Sequence, residues 1–138
     1  MPCLSNRFDP KVGAILNVSV LPPKSIIPGQ PVQISSVVPA LIDTGATFTC
    51  IAPAVAQNIG INPIGKRPMT SANQTQPTNI YLVDLVLPIG SAGFYLVGMQ
   101  VFEFMPQPQS PYQILLGRDV ICRGAFTMSF DGHYSFSI

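Results

Sequence analysis

Charge is scarce in this sequence of 138 residues. Seven Lys or Arg and six Asp or Glu make up 9% of the chain, against roughly a quarter in a typical soluble domain. The net charge of +1 comes without clustered Lys or Arg, and Lys66-Arg67 is a two-residue step. That leaves no footprint for nucleic acid, and so neutral a surface points to a face covered by a partner. His133 is the single histidine. A multi-histidine metal site is therefore excluded, and a serine- or cysteine-based hydrolase would have one possible base. The three cysteines, Cys3, Cys50 and Cys122, are odd in number and widely spaced with no CxxC. Neither a disulfide framework nor a zinc knuckle is indicated, so no metal and no cofactor is expected. No apolar run reaches the roughly 18 residues of a membrane span; residues 80–89 are broken by Asp84 and Pro88. The N-terminus lacks the layout of a signal peptide. The expectation is a cytoplasmic chain in a reducing compartment, without membrane contact.

What the chain does have is glycine (11) and proline (15). That is more than usual but below the roughly 25–30% of low-complexity disorder, and it favours a turn-rich, all-β protein in one domain over residues 1–138. Short apolar runs predict strands at residues 14–21, 32–38, 40–42, 81–87, 94–104 and 114–116, separated by Pro, Gly, Asn and Ser. Asp84 inside its apolar run is expected at an exposed edge. Helix signals are few. Pro53 suits a first helical position, Val55 and Ile59 share a face, and Gly60 suits a left-handed cap. Residues 119–123, closed by Gly124, predict one further turn or two.

Near the C-terminus, Phe126, Met128 and Phe130 alternate with Thr127 and Ser129, and Tyr134, Phe136 and Ile138 alternate with Ser135 and Ser137. A two-residue Asp131-Gly132 turn would put the two apolar sets on opposite faces. A three-residue loop, Asp131-Gly132-His133, pairs Phe130 with Tyr134 and aligns them. The longer loop is expected, with His133 at the tip.

One tetrapeptide carries chemistry. Asp43-Thr44-Gly45-Ala46 follows Ala40-Leu41-Ile42, so a carboxylate sits where an apolar strand enters a tight turn. Gly45 allows main chain to approach a ligand and to adopt conformations other residues avoid. Thr44 adds a hydroxyl and a stiff β-branched body. Alone such a turn is common. A second motif, Ile114-Leu115-Leu116-Gly117-Arg118, adds weight.

Together, in this order, the two motifs resemble those of the retropepsins, the retroviral-type aspartic proteases, and most closely their single-domain cellular and bacterial relatives. The likeness spans about residues 12–138. It implies a small closed acid-protease barrel with one or two short helices, forming a two-fold homodimer. It also implies an aspartic endopeptidase that hydrolyses extended polypeptide. Asp43 would be the catalytic acid. Two carboxylates about 3 Å apart share one proton and split their pKa values. Only one aspartate lies on such a turn here, so its mate would be Asp43 of a second copy. Thr44 would hydrogen-bond across the axis, Gly45 would offer a carbonyl to substrate, and Ala46 would complete the loop. Ala46 stands where pepsin-like enzymes carry a hydroxyl, which implies a less acidic optimum, about pH 5–6. A flap is implied over residues 67–79, with Ser71 and Asn73 as candidate substrate contacts. Unlike viral flaps, this stretch has no glycine. Arg118 has Thr47 where viral members carry an acid, so Asp119, Asp131 or backbone carbonyls are its open alternatives. The C-terminal hairpin, residues 126–138, is the candidate dimer element.

Other residues read more simply. Cys50 and Cys122 are expected as small buried hydrophobes, and Glu103 and Asp119 as surface or capping groups. The aromatics of residues 94–104 are expected in the core, some lining substrate pockets. Two functions follow: the homodimeric endopeptidase, or a non-catalytic domain of the same fold that dimerises or binds a peptide strand.

Overall fold

The computed structural model describes residues 2–34, 36–71 and 74–138. Ten strands and two short helices follow one another as β1 (Cys3–Arg7), β2 (Ile15–Leu21), β3 (Val37–Ile42), β4 (Cys50–Ile51), α1 (Pro53–Ile59), β5 (Gly65–Ser71), β6 (Gln74–Leu87), β7 (Phe94–Glu103), β8 (Ile114–Leu116), α2 (Arg118–Ile121), β9 (Ala125–Met128) and β10 (His133–Ser137). The larger sheet runs β2-β3-β8-β4-β7-β6-β5, and β2 also pairs with β6. That pairing closes β2, β3, β8, β4, β7 and β6 into a barrel and leaves β5 outside it as the free arm of a hairpin. The barrel interior is filled by Val18, Val20, Val83, Leu85, Val101, Ile114 and Leu116, all fully buried. No helix among the described residues is long and apolar enough to cross a membrane.

Local chemistry accounts for α1. Pro53 opens it where no amide donor is needed, and Gly60 closes it at φ 75°, donating to the carbonyl of Gln57. The run expected as a strand over residues 32–38 forms one only from Val37. The cause lies in β2, which pairs with β3 up to Ser19↔Val37 and then turns to β6 through Val20↔Leu85 and Leu21↔Asp84. Once β2 has changed partners, residues 31–34 have no ladder to join.

Asp84 corrects a second expectation. It is 0% exposed rather than at an open edge. It sits at a bulge in the β6–β7 pairing, and its carboxylate accepts the backbone N–H groups of Gly98 (2.9 Å), Ser25 (3.0 Å) and Ile26 (3.2 Å). Three amide donors replace the water lost on burial, and they tie the loop after β2 to the barrel.

The smaller sheet runs β1-β10-β9. Its hairpin aligns the apolar sets, with Phe126 opposite Phe136 and Met128 opposite Tyr134. The loop is three residues long but one position earlier than expected: Phe130-Asp131-Gly132. Gly132 has φ 85°, and its N–H donates to the Ser129 carbonyl. A three-residue hairpin loop of this kind needs a left-handed residue at its last position. Glycine fills that place without strain and His133 would not. Phe130 is thereby pushed to the exposed tip, while His133 begins β10. The terminal strand β10 is flanked on both sides, by β9 and by β1 of the same chain. Of the C-terminal hairpin, β9 keeps an open edge. Cys50 is buried as expected, whereas Cys122, just past α2, is exposed.

Candidate active site

Parallel pairing of β3 with β8 brings the two sequence motifs together: Ala40↔Ile114, Leu41↔Leu115 and Ile42↔Leu116. The ladder ends at Asp43, whose N–H donates to the Leu116 carbonyl at 2.9 Å. The chain then turns, with the Ala46 N–H donating to the Asp43 carbonyl (3.2 Å). The Asp43 carboxylate, half-buried, accepts the Gly45 N–H at 3.0 Å. No Lys or Arg nitrogen among the described residues lies within 4.0 Å of it. Gly45 is not left-handed, so conformational freedom is not its role here. Space is: a Cβ there would stand 3.3 Å from Asp43 Oδ1. Thr44 is exposed beside the carboxylate.

Behind this turn the second motif acts as a buttress. Gly117 adopts ordinary extended backbone (φ −90°, ψ −175°), yet a Cβ on it would fall 2.6 Å from the Phe48 carbonyl carbon and 3.0 Å from the Ala46 oxygen. Glycine alone permits that approach. Arg118 settles its open alternatives: its guanidinium donates to the Thr44 carbonyl (2.9 Å) and to Thr47 Oγ1 (3.0 Å), and its N–H donates to the Ala46 carbonyl (2.8 Å). Asp119 is neither a plain surface group nor a cap of its own helix. It accepts both the N–H and the hydroxyl of buried Thr49, and the same hydroxyl accepts the Gly117 N–H (3.1 Å). Sequence reasoning missed this role because nothing local links Asp119 to a threonine seventy positions earlier.

Facing the turn is the hairpin of β5 and β6, paired from Gly65↔Ile80 to Ser71↔Gln74. It occupies the place expected for a flap. Ser71 ends β5, and Asn73 lies outside the described residues. Between hairpin and turn lies a cavity of about 400 Å3. Gly45, Ala46 and Thr47 border it on one side, and Pro68, Met69 and Thr70 on the other. Its apolar floor includes Phe102, stacked on Phe48 with centroids 5.1 Å apart. Cys50 also lines it. Burial, with Asp119 and Asp43 nearby, pushes that thiol up to about 12, so it stays protonated and unreactive. Among the described residues no group of three or more His, Cys, Asp or Glu could hold a metal ion.

This barrel, with its acid-bearing turn and glycine buttress, is a retropepsin-type fold. The chain is similar to a retropepsin-like aspartic protease from Rickettsia conorii, with a TM-score of 0.67 at 14% identity over 97% of this chain and 89% of that one. A weaker likeness is to Simian Foamy Virus (mac) protease, with a TM-score of 0.46 at 18% identity over 79% of this chain and 92% of that one. Residues 28–120, well over half of the chain, match the aspartyl protease family model, and the chain belongs to that family. None of the curated proteins matches it in sequence.

Proposed function

We propose that the chain is one subunit of a homodimeric aspartic endopeptidase in which two Asp43 carboxylates activate water. The observation that carries this reading is Asp43 itself, a half-buried acid with no cationic partner among the described residues, on the turn whose Gly45, Ala46 and Thr47 border the cavity of about 400 Å3. A purely structural acid would be expected to look like Asp84, saturated by donors. One carboxylate alone lacks the chemistry: hydrolysis needs a base to take a proton from water and an acid to protonate the carbonyl oxygen, then the leaving nitrogen. Two such turns across a two-fold axis would supply both, one carboxyl holding the shared proton while the other is ionised. Thr44, exposed beside Asp43, suits a contact across that axis. The Gly45 carbonyl and the β5 arm, including Ser71, with Asn73 beyond it, would hold the substrate main chain as an added strand.

The test is Asp43→Asn in the full chain, assayed with a peptide library across pH. Wild type is expected to cleave, with an optimum of about pH 5–6, and the variant is expected to be inactive. Cleavage that survives the substitution overturns the reading. Peptide binding with no cleavage by wild type at any pH would instead establish a non-catalytic peptide-binding domain.

A further inference from the structure

The cleft does not end at the flap. A second groove of about 420 Å3 adjoins it, and Met69 and Phe104 line both. Pro77 and Met105 extend its apolar wall, Gln74, Gln76 and Thr78 add neutral polar lining, and Glu103 is its one charged residue among the described residues. Glu103 is half-buried, and no Lys or Arg nitrogen among the described residues lies within 4.0 Å of it. Its hydrogen bonds come from neutral donors, the Tyr81 hydroxyl on Oε1 at 2.7 Å and, more distantly, the Asn79 side-chain amide at 3.4 Å. Burial, followed by the contact with Glu103, pushes Tyr81 up to about 12, so the phenol remains the donor of this bond. These neighbours fix the carboxylate without neutralising it, and Oε2 keeps unused acceptor capacity.

A methionine- and phenylalanine-lined groove bearing a lone anion has the chemistry of a site for a long side chain with an apolar stem and a cationic head. The stem would lie along Met69, Phe104 and Met105 while the head meets Glu103. An acidic side chain would be repelled, and an apolar one would cover the anion without pairing it. We infer that Glu103 is a specificity-determining residue and that the cleft selects polypeptides carrying lysine or arginine where the side chain reaches this groove. The inference rests on the cleft being the substrate site and names the substrate class. In a two-fold dimer the groove would occur once on each side of the scissile bond.

Positional-scanning peptides assayed with wild type, Glu103→Gln and Glu103→Lys test it. Wild type is expected to favour Lys or Arg over norleucine at one position. Glu103→Gln, which still accepts from Tyr81, should lower that basic-to-norleucine ratio in kcat/KM about tenfold. Glu103→Lys should move the preference to Asp or Glu, a reversal that a merely structural Tyr81–Glu103 contact would not produce. A flat wild-type profile, or an unchanged basic preference in Glu103→Gln, overturns the inference. Binding of the same peptides to Asp43→Asn and to Asp43→Asn/Glu103→Gln, read by fluorescence anisotropy, separates the two readings. If wild type cleaves nothing yet basic peptides bind in a Glu103-dependent way, the subsite stands and the endopeptidase falls. Indifference to peptide charge in binding overturns the subsite whatever the cleavage result.

Discussion

Asp119 holds Thr49 by three hydrogen bonds. Its carboxylate accepts the Thr49 N–H at 3.0 and 3.1 Å and the Thr49 hydroxyl at 2.7 Å. Thr49 is fully buried, so no water can stand in for a lost acceptor. Because the Thr49 hydroxyl also receives the Gly117 N–H, this clasp joins α2 to the segment descending from the acid-bearing turn. Arg118, one residue earlier, grips the upper end of that segment at Thr44 and Thr47.

Asp119→Ala is therefore expected to destabilise the fold by about 1–3 kcal/mol, the usual cost of orphaning buried donors. Asp119→Asn keeps one carbonyl acceptor and should cost less. Urea denaturation midpoints of the two variants give the comparison. Equal losses, or none, would show that the clasp contributes little.

Which features could be read from residue types alone follows from how local their causes are. The turn at Asp43 and α1 are readable, because a carboxylate on a glycine turn and a Pro–Gly pair of caps each act within a few residues; the Gly117 motif gains its meaning only from the resemblance to the retropepsin pattern, since the backbone it packs against is that of Ala46 and Phe48. Strand β1 carries no strand signal of its own, because its side chains are mostly exposed and polar; it is a strand only because β10 offers it an edge. The burial of Asp84 is not legible locally, because the amides that satisfy it come from Ser25, Ile26 and Gly98, none of them near it in sequence. In the C-terminal hairpin, alternation predicted the shared apolar face. The one-residue shift of the loop was decided by the φ of Gly132, which alternation does not register.

Cysteine accessibility gives a second prediction. Cys3 and Cys122 are exposed and Cys50 is buried, with its thiol pushed up to about 12. At pH 8 the native protein should titrate two thiols rapidly with a disulfide reagent, and the third only after denaturation. Three fast thiols would mean that the floor of the cleft opens readily to solvent.

Alkaline stability should depend on two buried phenols together with the buried Cys50 thiol, which is likewise held protonated in the folded chain. Tyr134 donates to the Ile15 carbonyl at 2.8 Å, and burial raises its pKa; Tyr81 is pushed up to about 12, first by burial and then by Glu103. Both groups favour the protonated form in the folded chain. Their contribution is thus complete below the ordinary tyrosine pKa of 10.0 and is lost as pH rises through the raised values in the folded chain, about 12 for Tyr81. Thermal midpoints should be level from neutral pH to about pH 9 and fall beyond pH 10. Tyr134→Phe should make that fall shallower, while lowering stability at neutral pH through the loss of a hydrogen bond. A variant with the wild-type alkaline slope would remove Tyr134 from the account.

The proposed dimer is best probed at β9. Deleting the whole hairpin would strip Tyr134 and Phe136, at 2% and 0% exposure, from the core, so loss of the dimer could not be told from loss of the fold. A single proline avoids this. Ser129 and His133 form a hydrogen-bonded pair, and antiparallel pairs alternate, so the Met128 N–H points away from β10 towards the open edge. Met128→Pro should remove an edge donor while keeping the β9–β10 ladder, whereas Thr127→Pro should break that ladder. If a second copy pairs along β9, Met128→Pro should sediment as a folded monomer with native circular dichroism, and Thr127→Pro should be destabilised. A Met128→Pro chain that remains dimeric would exclude the β9 edge and move the interface elsewhere, with the outer edge of β1 the next element to block.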